Sequence, residues 1–226
     1  MSIFPLRSCL LLALSPLTGA EAATILSNGE FTGSLAAWTT TGTVFNTGDA
    51  AVFADGASAT VSLFQTAALP AGVVSLALTF DYFNGLSPTV AGGFLRDTFF
   101  ATLYGGGQPF GPTLAGGVYD QALGLFDLDA NGAFNVVPGS SFEPSPKGAG
   151  WTRYTLTQTG EPAFMGPGFA TVAFEFYNLN GIAADSAAAV DNVSLVAVVP
   201  EPTETALLLL SATVLLRRRR LPLHRP

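Results

Sequence analysis

The 226-residue chain contains one cysteine and one histidine, Cys9 and His224, and both lie near its ends. Residues 23–198 contain neither. That interior therefore has no disulfide, no thiol nucleophile, no imidazole base and no histidine-ligated metal, which removes most hydrolase mechanisms. Carboxylate chemistry of the glycosidase kind, or a Ser-Lys arrangement, stays open. Positive charge is nearly as scarce, since Arg96, Lys147 and Arg153 stand against thirteen Asp and Glu in the same span. Such an acidic surface repels nucleic acid and anionic lipid and attracts divalent cations. Sustained 3.6-residue apolar periodicity is also missing from the interior.

What is present alternates with a period of two. Leu76, Leu78, Phe80 and Tyr82 interleave with Ala77, Thr79 and Asp81, and Val172, Phe174 and Phe176 interleave with Thr171, Ala173 and Glu175. Breaks such as Leu69-Pro70-Ala71-Gly72 and the Gly105–Pro112 and Gly139–Gly150 stretches read as turns and surface loops. Strands are expected at residues 24–31, 42–46, 50–54, 58–66, 73–83, 97–104, 133–137, 151–158, 169–178 and 188–198. This pattern predicts an all-β fold, a two-sheet antiparallel sandwich in one domain spanning 23–198.

The two ends read as addresses. Arg7, the apolar run Cys9–Leu17 and the small-x-small site Ala20-Glu21-Ala22 predict a signal peptide over residues 1–22, with a helical apolar segment. Residues 199–226 open on Val199-Pro200-Glu201-Pro202, whose two prolines are expected to stop any strand or helix. An apolar helix over Thr205–Leu216 and the cluster Arg217, Arg218, Arg219 and Arg220 follow. Twelve helical residues cover about 18 Å, short of the roughly 30 Å hydrocarbon core, so the tail makes a poor permanent anchor. The arginines would stay cytoplasmic and leave the domain outside.

Pro-Glu-Pro, a short apolar run and an arginine cluster in that order resemble the PEP-CTERM sorting signal, apart from the additional Leu221–Pro226. The resemblance implies recognition and cleavage by an exosortase, a membrane cysteine peptidase. It also implies transient inner-membrane association and delivery to the envelope or matrix of a Gram-negative, exopolysaccharide-making bacterium. Further landmarks run along the interior: Asn28-Gly29-Glu30-Phe31 with Leu35 and Trp38, Gln65 before the Pro-Ala-Gly turn, Gly150-Trp151-Thr152-Arg153-Tyr154, and Ala189-Val190-Asp191-Asn192-Val193-Ser194-Leu195. Their order is similar to the galactose-binding-like jelly rolls of carbohydrate-binding modules.

Asp191 carries the sharpest site expectation. On a strand it shares the apolar register of Ala189, Val193 and Leu195, where a carboxylate must be paired, hydrogen-bonded or metal-bound. With three basic residues on hand, a cation is a reasonable partner; a strand-end cap through backbone amides is the alternative. The jelly-roll resemblance implies a structural Ca2+ held by Glu30 and Asp191 with loop carbonyls. Asp127, Asp129 and Asn131, followed by Gly132, have the spacing that opens an EF-hand loop, but Pro138 stands where its last ligand belongs. A hairpin turn explains the same residues. Trp38, Trp151, Tyr104, Tyr119 and Tyr177 are candidates for stacking on sugar rings, against core packing for the tryptophans. The expected function is non-catalytic, namely glycan binding, with exopolysaccharide as partner, or a structural role in the matrix. A carboxylate-dependent glycoside hydrolase and a protein-binding adhesin are the alternatives.

Overall fold

Period-two alternation becomes thirteen strands in the computed structural model, which describes residues 20–201 except 57, 90–94 and 181–184. They are β1 (Ala20–Thr24), β2 (Thr39–Thr41), β3 (Val44–Asn46), β4 (Ala51–Ala54), β5 (Thr60–Leu69), β6 (Ser75–Gly85) and β7 (Thr98–Gly106). Then come β8 (Gln121–Asp129), β9 (Gly132–Phe134), β10 (Ser141–Pro144), β11 (Trp151–Thr159), β12 (Gly168–Tyr177) and β13 (Ala187–Pro200). One sheet runs β10-β11-β6-β13-β4-β3, with β1 added on β13; the other runs β2-β5-β12-β7-β8-β9. Neighbours along both paths are antiparallel. The expected two-sheet sandwich is therefore present.

Inward positions of both sheets meet in one aromatic core. Phe80 of β6 packs edge-on against Phe174 of β12 with ring centres 5.0 Å apart, and Phe53 of β4 meets Phe99 of β7 at 5.2 Å. Phe126 and Tyr154 close the other side of Phe80 at 5.9 and 5.0 Å. All six rings are fully buried. Such rings bury 150–250 Å² each, which supplies cohesion that a domain without disulfides needs.

Several local expectations are corrected. The strand expected at 24–31 stops at Thr24, and Asn28 and Phe31 beyond it adopt left-handed backbone (φ 51° and 47°), which breaks regular strand geometry. Gln65, inward on β5, fastens this irregular segment by bonding both the amide and the carbonyl of Ser27 and the carbonyl of Ala37. The stretch expected at 42–46 shortens to β3 (Val44–Asn46), with the unexpected β2 just before it, 133–137 becomes Gly132–Phe134, and β10 lies inside the loop expected at 139–150. β8 was not foreseen. The strand β13 runs through Val199 to Pro200, so the first proline ends the strand without preventing it from forming there; at a terminal position its missing N–H breaks no ladder. The expected cleavage point at Ala22 falls inside the exposed β1. Both expected flanking helices, and Pro202 and Arg217–Arg220, lie outside the described residues. Among the described residues no helix is long and apolar enough to cross a membrane.

The register of Asp191 is also corrected. A bulge between Asp191 and Ser194, with Asn192 at φ 51°, inserts an extra residue into β13. Val190 before it and Val193 and Leu195 after it face the core, while Asp191 turns to the outer face opposite Asp81. Two carboxylates thus stand side by side on neighbouring strands, and both are buried. Each has a cation of its own. Arg153 of β11 grips Asp81 with Nε and a terminal nitrogen at 2.8 and 2.9 Å, and the Asn192 amide adds a bond of 2.8 Å. Lys147 reaches Asp191 at 2.5 Å and Asp49 at 3.0 Å.

Burial pushes the Asp81 carboxyl up, but the Arg153 fork and Asn192 outweigh it and hold it below the usual carboxylate range. A lowered folded value means stability that is present above about pH 4 and lost as pH falls toward that value. Arg153→Met should therefore cost about 3 kcal/mol at neutral pH, because it leaves a buried charge unpaired. Denaturant titrations across pH should show the variant losing less stability than wild type between pH 5 and 2; equal losses would dismiss the pair as the source of the acid limb.

Candidate functional site

The outer face of the second sheet is polar in ordered rows. Thr41, Ser62, Glu175, Phe100 and Asp127 stand in line across β2, β5, β12, β7 and β8. On one side Tyr177 lies between Thr60 and Thr98; on the other Thr171 lies between Thr66 and Tyr104. The Thr66 and Thr171 hydroxyls are 2.7 Å apart. The connection 107–120 folds back beside these rows, held by a bond from the Asp120 amide to the Gly105 carbonyl at 2.9 Å. Phe110 from that connection packs on Phe64 and Tyr104. Gly117 lies so close over Phe110 that a Cβ there would come within 2.0 Å of the ring.

Between sheet and connection runs a groove of about 610 Å³, lined among others by Ser62, Tyr104, Thr113, Tyr119, Glu175 and Tyr177. Tyr104 and Tyr119 have ring centres 4.9 Å apart, and Tyr119 is half exposed. The Tyr177 hydroxyl donates to Glu175 at 3.2 Å. Burial, with the nearby Glu175 charge, pushes the Tyr104 phenol up to about 12, so it remains a hydrogen-bond donor at neutral pH. Burial also pushes the Glu175 carboxyl up. Aromatic rings beside hydroxyls and a single carboxyl suit a neutral ligand that offers both C–H faces and hydroxyl groups.

The structure separates the other expected site residues. Tyr104, Tyr119 and Tyr177 all line this groove. Trp38 does not, since it is 8% exposed between Phe31 and Phe174, with its Nε1 bonded to the Asn28 carbonyl. Its position is a core position, and sugar stacking by Trp38 is corrected accordingly. Trp151 lies on the outer face of the other sheet, against Phe83, with the Lys147 ammonium 5.0 Å over its ring.

Glu30 is exposed beside a separate cleft of about 390 Å³ shared with Asn28, Asn192 and Ser194. One Asp191 oxygen is taken by Lys147, and the other is buried with no hydrogen-bond partner among the described residues. Burial opposes the Lys147 charge, but hydrogen bonds to Asp191 and Asp49 outweigh it and hold the ammonium above its usual range. Asp127, Asp129 and Asn131 are drawn into the β8–β9 hairpin: Asn135 bonds Asp127 at 2.7 Å, Arg96 pairs with Asp129 at 3.3 Å, and the Asn131 amide caps Asp129 at 2.7 Å.

Sequence reasoning missed Glu175, although the alternation of Phe174 and Phe176 with Glu175 already put that carboxyl on the opposite face. It missed a second cluster, Asp55, Asp97 and Asp185, for which residues so distant along the chain give no signal.

No family model matches the chain, and no curated protein matches it. Three solved structures show similarity in fold alone. The enzymatically active domain of bacteriophage CBA120 tailspike protein 4 aligns with 76% of this chain at 17% identity and a TM-score of 0.46. The match covers only 21% of the tailspike chain, about a fifth of its length. TmCBM61, solved in complex with β-1,4-galactotriose, aligns over 76% of this chain and 97% of its own at 14% identity, TM-score 0.42. The K3 cleaved adhesin domain of Lys-gingipain from Porphyromonas gingivalis aligns over 78% and 99% at 16% identity, also with a TM-score of 0.42.

A raised carboxyl stabilises the fold only while it is protonated. The Glu175 contribution is therefore present below about pH 4 and lost as pH rises through its folded value. The melting temperature of Glu175→Gln relative to wild type should climb between pH 4 and pH 8. A constant difference would show that burial does not perturb this carboxyl.

Proposed function

We propose that this chain is an exported, exosortase-sorted surface or matrix protein whose sandwich domain binds glycan, without catalysis, in the tyrosine-lined groove. The groove carries the reading. Tyr104, Tyr119 and Tyr177 offer aromatic surface within a face otherwise rich in threonine and serine hydroxyls, the combination that engages a sugar ring from its apolar and polar sides. Among the described residues lining it, Glu175 is the one carboxyl. Acid-base hydrolysis of a glycosidic bond needs two, about 5 to 9.5 Å apart, so binding is favoured over cleavage. An excess of acidic groups disfavours nucleic acid and leaves a neutral polysaccharide as the better-matched partner. Export and sorting rest on the signal-like and Pro-Glu-Pro–apolar–arginine segments at the two ends.

The test is co-sedimentation of the purified chain with the producing organism's exopolysaccharide. Tyr119→Ala should reduce retention about ten-fold, equivalent to about 1.4 kcal/mol, and Tyr104→Ala at least as much. Trp151→Ala, on the other sheet, should leave it unchanged. Retention that ignores both tyrosine substitutions would remove the groove as the binding site.

Sorting is checked separately by fractionating cells with and without the exosortase. Loss of the enzyme should trap the full-length chain in the membrane fraction. Identical forms in both strains would rule out exosortase processing.

A further inference from the structure

Asp55, Asp97 and Asp185 come from three connections and converge at one end of the sandwich. Asp55 directly follows β4, Asp97 directly precedes β7, and Asp185 lies between β12 and β13. One carboxylate oxygen from each lies within 4.8 Å of the others. Oxygens on opposite sides of a calcium ion, at about 2.4 Å each, are separated by about that distance.

The surroundings fix these carboxylates without neutralising them. Asp97 is completely buried. Its Oδ1 accepts the amides of Leu179 and Asn180 at 2.9 and 3.0 Å, while its Oδ2 has no hydrogen-bond partner among the described residues. Asp55 repeats the pattern: Asn178 bonds its Oδ1, its backbone amide bonds the Ser186 carbonyl, and its Oδ2 is buried without a partner among the described residues. Asp185 is half-buried, with Asn180 donating to its carboxylate. None of the ion pairs among the described residues reaches any of the three. Two buried carboxylates that have, among the described residues, a free oxygen each and no counterion are costly unless something positive sits between them.

We propose that Asp55, Asp97 and Asp185 form a calcium site that ties the β4–β5, β6–β7 and β12–β13 connections together. All its donors are hard oxygens, the class calcium takes, and each buried Asp has one oxygen fixed by protein donors and one available to the ion. β4 and β13 belong to one sheet and β7 and β12 to the other, so the ion clips the two sheets at their shared end. The site is distinct from Glu30 and Asp191 and does not rest on the glycan-binding reading.

Calorimetric titration of the EDTA-stripped full chain with CaCl2, alongside thermal unfolding, tests it. Wild type should bind one calcium and melt at higher temperature in calcium than in EDTA. Asp97→Asn should lose at least about ten-fold in affinity. Asp185→Asn, a half-buried and less disruptive change checked for folding by circular dichroism, should do the same, and Asp191→Asn should retain binding. No calcium binding by wild type would overturn the proposal. So would binding that survives both Asp97→Asn and Asp185→Asn. A wild type indifferent to calcium, together with Asp55→Asn stabilised in EDTA, would assign the cluster to a shared proton instead.

Discussion

Asp81 is fully buried on the outer face of a sheet, and its charge persists there because Arg153 meets it with two parallel hydrogen bonds. The domain has three basic side chains for thirteen acids, and each of them is committed to an aspartate. Arg153 and Lys147 serve neighbouring carboxylates on adjacent strands, joining β11, β6 and β13 and the loop before β11 into one charged layer. Removing either cation would leave a buried anion, which is far more costly than the pair is favourable. Among the described residues the same scarcity leaves Asp55, Asp97 and Asp185 without an ion pair.

The two outer faces divide the work. The face of β11, β6 and β13 is sealed by ion pairs and by Trp151 lying under Lys147. The face of β5, β12 and β7 is polar and lined by tyrosines, with a groove left between it and the long 107–120 connection, which packs through Phe110 on Phe64. Gly117 makes that placement possible by letting backbone rest against the Phe110 ring. Between the faces lies an aromatic core that is nearly continuous from Phe31 and Trp38 to Phe126 and Tyr154.

Much of this architecture was legible in the sequence. The alternation in β6 and β12 named the inward Leu, Phe and Val positions correctly, because burial of one sheet face imposes a period of two directly on composition. Other features did not follow. β8 reads weakly because its alternation is interrupted by a bulge opposite Ala101 and Thr102, where Leu125 and Phe126 are both buried in succession. The expectation for Asp191 failed at its first step, since a single left-handed residue, Asn192, moves every later side chain of β13 to the opposite face.

Residue types and their spacing alone settled the sandwich, its inward register along the long strands, the absence of thiol and imidazole from residues 23–198, and the Pro-Glu-Pro, apolar and arginine order of the last segment. These are local or compositional properties, written in residue type and spacing. Tertiary structure decided which acid meets which base, which aromatics are buried and which line a groove, and that three distant aspartates share one small volume. Such outcomes depend on strand order and on bulges. Side chains become neighbours across a sheet or between loops only after the chain has closed, so no spacing along it records their meeting.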